Sequence, residues 1–275
     1  QVEEAAARIA PWAHRTPVVT SASLDRLWGG RFFFKCENLQ RVGAFKFRGA
    51  ANAVFSLDGA EAAAGVATHS SGNHAQALAL AARLRGVAAH LVMPENAPPV
   101  KREAVRGYGG SITSCAPTLA AREETLARVR AATGAAFIHP YDDDRVIAGQ
   151  GTAALELCRE VEGLETVLVP VGGGGLLAGT ALAATGLRPG IRVMAAEPAG
   201  ADDARRSLAA GRIIPPVAPE TVADGLLTSL GERNFPIIRR LVAGIVIVED
   251  GEILAAMRMA WERLKLVIEP SAAVP

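Results

Sequence analysis

Short runs of consecutive apolar residues alternate with longer stretches of helical periodicity along most of the chain. Val66-Ala67-Thr68, Ala89-His90-Leu91-Val92-Met93, Ser111-Ile112-Thr113-Ser114-Cys115 and Ala136-Phe137-Ile138 read as strands. Helices are expected between them, over 75–84, 100–108 and 119–132, the first two closed by Gly86 and Gly109-Gly110. The second half repeats the rhythm: a helix over 151–161, a strand at Val167–Val171, a helix after Gly175, and strands at Ile191–Ala196 and Ile245–Val248. Upstream, Val2, Ala5, Ile9 and Ala10 mark a helix running towards Ala13 and stopped by Pro11. A short helix follows from Ser21 to Leu27, an aromatic strand from Arg31 to Cys36, and a helix through Ala50, Ala53 and Val54. Strands this uniformly apolar are buried on both faces, and intervening helices make them parallel. The pattern predicts an α/β protein with two parallel-sheet subdomains. The acidic turn Tyr141-Asp142-Asp143-Asp144-Arg145 marks the expected crossing, with a small mobile domain over 66–142 and a large one over 1–65 and 143–275.

Half of the 275 residues are hydrophobic, which is ample core for either one large domain or two of ordinary size. Balanced charge, 29 basic against 28 acidic residues, removes any electrostatic case for nucleic acid or an anionic membrane as partner. Apolar runs break well short of the ~20 residues that a membrane-spanning helix needs. No basic-then-apolar leader opens at Gln1, so a cytoplasmic location is expected. Cys36, Cys115 and Cys158 show neither metal-ligand nor disulfide spacing and read as buried apolar residues in a reducing compartment.

Three stretches could carry chemistry. Lys46 stands between Phe45 and Phe47, with Gly43 and Gly49 as backbone breakers. An amine among apolar groups loses hydration, and its pKa falls towards the range where it attacks a carbonyl. The plain alternative is a lysine snorkelling from an element end. Ser70-Ser71-Gly72-Asn73-His74 joins a strand to a helix, where short hydroxyls cap the helix and its open amides suit a carboxylate. Capping accounts for Asn73 alone, but not for the whole cluster. Gly172-Gly173-Gly174-Gly175, before Leu176, fits a phosphate wrapped by bare amides better than an ordinary tight turn, since four glycines cost backbone entropy. A fourth stretch, Glu197 to Asp203, could hold a hard divalent cation, or be a solvated acidic turn. His14, His90 and His139 show no partner pattern and read as packing or surface residues.

A lysine for a Schiff base, a helix start for a carboxylate and a glycine loop for a phosphate suggest pyridoxal phosphate and an amino acid. The chain resembles the fold-type-II pyridoxal-phosphate enzymes of tryptophan-synthase-β-like architecture, in their threonine/serine ammonia-lyase and serine racemase branch. Gly43-Ala44-Phe45-Lys46-Phe47-Arg48-Gly49-Ala50 looks like the family's lysine motif, with Ala44 where serine is more usual. The resemblance implies that Lys46 forms the Schiff base and later removes the Cα proton, and that Ser71 serves the opposite face. It assigns Phe45 and Asn73 to the cofactor ring, Gly172, Gly173, Gly174, Gly175 and Leu176 to its phosphate, and Gly225 to the same cleft. It assigns Ser70, Ser71, Asn73, His74 and Ser229 to the substrate, and Glu197, Ala201 (through its carbonyl) and Asp203 to a divalent cation, magnesium, calcium or manganese. A homodimer is implied as well.

Arg122 resembles a residue near the racemases' substrate loop, and Tyr141 stands where nucleotide-binding racemases carry asparagine. The family's pyridine-nitrogen partner has no counterpart before Pro275, so the large domain is expected to be incomplete at its C-terminus. The expected activity is L-threonine/L-serine ammonia-lyase. Serine racemase and 3-hydroxyaspartate ammonia-lyase are the enzymatic alternatives, and a non-catalytic amino-acid-binding protein is the remaining one.

Overall fold

The computed structural model describes residues 1–275. In chain order the first elements are α1 (Val2–Ile9), β1 (Val18–Val19), α2 (Ala22–Trp28), β2 (Phe34–Lys35), α3 (Lys46–Ser56) and α4 (Gly59–Ala63). Next come β3 (Val66–His69), α5 (Asn73–Arg85), β4 (Ala89–Pro94), α6 (Pro99–Gly107), β5 (Ser111–Cys115), α7 (Leu119–Thr133) and β6 (Ala136–Phe137). The remainder is α8 (Asp144–Glu160), β7 (Thr166–Pro170), α9 (Gly175–Leu187), β8 (Arg192–Pro198), α10 (Asp203–Ala210), α11 (Asn234–Leu241), β9 (Gly244–Val248) and α12 (Asp250–Met259).

By compactness the chain forms two units, one holding Glu3–His14 and Gln40–Gly149, the other Arg15–Leu39 and Gln150–Pro275. The expectation grouped 40–65 with the larger piece, yet these residues lie with 66–142. The reason is the small-residue surface of α3. Ala50, Ala51 and Ala53 pack it closely along α5, itself rich in buried alanine, and Phe47 and Val54 complete the same core.

The sheet of the first unit is wholly parallel, in the order β5-β4-β3-β6. From β3 the chain steps out through helices to β4 and β5, then returns to set β6 on the opposite side of β3. Strands whose order turns in this way leave a crevice at their carboxyl ends. The loops Ser70–Gly72 and His139–Asp143 issue from the two strands that flank it. In the second unit, β7, β8 and β9 are parallel in sequence order, and β1 pairs with β2 antiparallel. No helix is long and apolar enough to cross a membrane, and all three cysteines are buried and free.

Several boundaries differ from the sequence reading. The acidic turn is no open crossing: Asp143 accepts the Arg145 amide at 2.8 Å and pairs with its guanidinium at 2.7 Å, so α8 starts at Asp144 rather than Gly151. The first helix ends at Ile9 and the aromatic strand shrinks to Phe34–Lys35. Helices α10, α11 and α12 lie outside the sequence reading, although α10 and α11 are amphipathic.

Helix α8 passes so near α3 that a Cβ on Gly149 would lie 2.6 Å from the Arg48 carbonyl oxygen. Gly149→Ala should therefore destabilise the protein by about 1–3 kcal/mol in denaturant unfolding. Gly186→Ala, where nothing lies within 4 Å of the added carbon, should be neutral or stabilise by up to about 1 kcal/mol.

Candidate active site

The lysine segment is held from behind before it turns into α3. Gln40 clamps His14 through both its amide and its carbonyl, at 2.9 and 2.7 Å, and Arg41 donates to the Trp12 carbonyl at 2.5 Å. Val42 then adopts φ +59° and Gly43 φ +69°, a left-handed pair that swings the chain into Ala44-Phe45. A β-branched residue there is strained, and such strain is kept where the surroundings enforce it. Lys46 is half-buried at the first position of α3. Its Nζ donates to the Pro140 carbonyl at 3.0 Å and lies 5.3 Å from the centre of the Phe45 ring. Lys46 therefore points into its unit rather than into solvent.

Around it stands the hydroxyl-rich loop of the same unit. Ser70 Oγ accepts the Gly72 amide at 3.3 Å, and Asn73 opens α5, so the first amides of that helix face out from the sheet's carboxyl end. His74 is fully buried, with Nε2 3.4 Å from the Ile138 carbonyl and Nδ1 without a partner. Burial, and secondly the charge on Lys46, push its pKa well below the usual histidine value. His74 is therefore neutral at physiological pH and offers hydrogen bonding rather than charge. Arg122 on α7 has a buried Nε with no acceptor, and its charge is felt at His69, the last residue of β3. Lys46, Ser70, Ser71, Asn73 and His74 thus all belong to the first unit.

The glycine loop belongs to the second unit and follows β7. Its carbonyls are tied down: Gly173 accepts the Gly231 amide at 3.0 Å and Asn234 Nδ2 at 2.8 Å, and Gly174 accepts from Ala178 at 2.8 Å. The amides of Gly172 to Gly175 meet no backbone carbonyl outside α9. Gly174 takes φ +90°, and a Cβ there would stand 2.9–3.0 Å from Ile238, Asn234 and Leu230. A Cβ on Gly172 would press on Leu226 and Thr228 at 3.0–3.1 Å, so the segment bearing Gly225 and Ser229 backs the loop. Carbonyls fixed behind and amides left in front, at a helix start, form a cradle that fits a phosphate group. Asn234, wholly buried, anchors the loop from 61 positions away. No local pattern in the sequence discloses that partnership.

Glu197 ends β8 and accepts the Ala204 and Arg205 amides at 2.7 and 2.9 Å, while Asp203 Oδ2 is buried without a partner. Burial pushes the Glu197 carboxyl up to about 7 and the Asp203 carboxyl up to about 6, and Asp203 adds repulsion at Glu197. Asp202 stands apart, paired with Arg206 at 2.7 Å. There is no cluster of three or more His, Cys, Asp or Glu side chains; two carboxylates and the buried Ala201 are what this turn offers. An orphaned carboxylate oxygen beside a second, destabilised carboxylate is an environment that a cation would relieve.

Residues 9–275 match the family model described as pyridoxal-phosphate dependent enzyme. A beta-hydroxyaspartate dehydratase of Paracoccus denitrificans (strain Pd 1222) is 55% identical over 268 residues, spanning 98% of this chain and 85% of the relative. The structure of maize serine racemase superposes with a TM-score of 0.98 at 50% identity, over 99% of this chain and 83% of that one. The crystal structure of a T.th. threonine deaminase gives a TM-score of 0.95 at 48% identity, over 100% of this chain and 89% of that one. With a lysine at the reversed strand order and a glycine cradle at a helix start, the chain belongs to the fold-type-II pyridoxal-phosphate dependent enzymes.

Proposed function

We propose that the protein is an ammonia-lyase that takes a β-hydroxy-α-amino acid, L-threonine or L-serine, to a 2-keto acid and ammonia. The observation that carries this reading is the inward-pointing Lys46 amine, held 3.0 Å from Pro140 O in the unit that also bears the hydroxyl-rich loop. A threonine deaminase of nearly half-identical sequence supports it. Bound pyridoxal phosphate supplies the electron-withdrawing ring that lets the Cα–H bond break. Lys46 would hold the cofactor through its amine and, when that amine is free, would take the Cα proton. Phe45 and Asn73 would hold the cofactor ring, the amides from Gly172 to Leu176 would hold its phosphate, and Gly225 is assigned to the cofactor as well. Ser70, Asn73 and His74 would bind the substrate carboxylate, and Ser229 is assigned to the substrate as well. Departure of the β-hydroxyl as water leaves an enamine, which hydrolyses to the keto acid. Ser71 serves the face opposite Lys46, and a proton returned from there gives the racemate instead. A barrier difference of about 1.4 kcal/mol changes that ratio tenfold.

The second reading, 3-hydroxyaspartate as substrate, is favoured by Arg122. Its buried, unpartnered Nε suits a second carboxylate, and the Paracoccus denitrificans relative is a beta-hydroxyaspartate dehydratase. The same overall reading includes a divalent cation held by Glu197, Asp203 and the Ala201 carbonyl, and a homodimer.

Lys46→Ala should abolish both the visible absorbance of the purified protein and its release of ammonia from L-threonine; an unchanged spectrum would sink the Schiff-base assignment. Predominant D-serine from L-serine would overturn the lyase reading in favour of racemase. Absorbance without turnover of any hydroxy-amino acid would leave a cofactor-binding sensor.

Arg122→Ala should lower kcat/KM for 3-hydroxyaspartate by about 10–100-fold while L-threonine changes by no more than about threefold. Equal losses on both substrates would remove the second reading.

The raised carboxyls make the cation testable by pH. Folded Glu197 and Asp203 keep their protons above their ordinary values of 4.5 and 3.8. At these two groups the folded state binds more protons than the unfolded one, and their contribution to stability declines as pH rises through about 7. Neutral His74 and His139 push stability the other way below about pH 6.5, so the test is the effect of added cation at fixed pH: magnesium or calcium added after chelator should raise Tm more at about pH 8 than at about pH 5. Asp203→Asn should abolish the recovery; a parent protein indifferent to chelator would exclude the cation.

A further inference from the structure

Four rings line the carboxyl ends of β3 and β6. His69 stacks on Phe137 with centroids 5.9 Å apart, and His139 stands edge-on to His69, Phe137 and Tyr141 at 6.2, 5.6 and 4.6 Å. Packing accounts for where the His139 ring lies, but not for what its nitrogen does. Nδ1 accepts the Asp142 amide at 2.8 Å and the Tyr141 amide at 3.3 Å, two donors converging on one lone pair. A ring nitrogen that accepts amide protons carries none, so the imidazole is the neutral Nε2–H tautomer.

The Tyr141 amide and the Pro140 carbonyl belong to one planar peptide unit and point in opposite directions. Drawing the N–H towards His139 turns the C=O away from it, and that carbonyl receives the Lys46 amine at 3.0 Å. We propose that His139 is a positioning residue: through the Pro140–Tyr141 peptide plane, its unprotonated Nδ1 aims the carbonyl that holds the Lys46 amine whenever this amine is not joined to the cofactor. The proposal rests on reading Lys46 as the Schiff-base lysine. In that reading the amine is freed in every catalytic cycle, and it must then be held where it can take a proton and return it. A carbonyl accepting one N–H limits the directions open to its lone pair.

Protonating His139 would set a third N–H against two others. Burial holds its pKa down, to about 4. Asp142 and Asp143 of its own turn pull the other way, while His69 from β3 and Lys46 from α3 reinforce the burial. Arg130 from α7 approaches across Phe137. The acceptor therefore persists through the neutral range and fails only in acid.

His139→Asn and His139→Phe separate acceptor from packing. Asparagine sets its Oδ1 close to where Nδ1 stands and cannot titrate, whereas phenylalanine keeps a ring and has no acceptor. Nitrogen-15 spectra of the cofactor-free parent should show His139 as the neutral Nε2–H tautomer down to about pH 5. His139→Phe should lower kcat about tenfold or more with KM within about threefold, and slow the appearance of visible absorbance on adding pyridoxal phosphate by a similar factor. His139→Asn should restore both rates to within about threefold and carry no acid limb from this residue. An Nδ1–H tautomer, a phenylalanine variant as fast as the parent, or an asparagine variant as slow as the phenylalanine one would each overturn the proposal. Should His139→Phe fail to fold, the tautomer and the asparagine variant decide the matter. A parent protein that never absorbs in the visible sinks the Lys46 reading instead, since the tautomer is measured without cofactor.

Discussion

Setting β6 on the opposite side of β3 from β4 is the constraint on which the lysine half of the site depends. Because β3 and β6 run parallel, the loops leaving both emerge at one end of the sheet, and the reversal keeps any other strand from closing the space between them. One of those loops starts α5 and presents its amides; the other carries the carbonyl that meets Lys46. The alanine surface between α3 and α5 completes the arrangement, since larger side chains there would lift Lys46 away from that end. The geometry around Lys46 is thus a consequence of strand order and of side-chain size along one helix pair.

Burial acts in opposite senses on the polar groups of the two units. In the first it discharges histidines: His74 and His139 are held neutral, which turns potential cations into hydrogen-bonding groups, and for His139 two amide donors fix the tautomer. In the second it strains carboxylates, raising Glu197 and Asp203 until a proton or a cation is needed to settle them. Glycine does the comparable work for the backbone. The loop after β7 commits its carbonyls to Gly231, Asn234 and Ala178 and so keeps its amides in reserve. In each case a group is left with unused bonding capacity, which is what a binding site requires of a folded chain.

Much of this was legible in the sequence. Apolar runs of strand length, with glycine-closed helices between them, identified the α/β class because a parallel strand buried on both faces leaves no polar alternation. Four glycines cost more than a tight turn needs and capping does not explain the whole serine-rich cluster, whereas Lys46 alone reads as a snorkelling lysine and gains a chemical reading only beside them. The boundaries were less visible: Asp143 looked like part of a solvated crossing until its bonds to Arg145 made it a helix cap. Helices α10 and α11 are amphipathic but only eight residues long, and the structure adds them to the elements expected from the pattern.

Apolar patterning alone determined the α/β class, and three short motifs carried the resemblance to the family, for these depend on residue types taken a few positions at a time. Only the tertiary structure decided who meets whom. Asn234 reaches Gly173 across 61 positions, Lys46 reaches Pro140 across 94, and His139 passes from a packing residue to the hub of a turn. Such pairings are written in strand order and helix contact, where residues far apart in the chain share a few ångströms, and no local pattern encodes a distance of that kind.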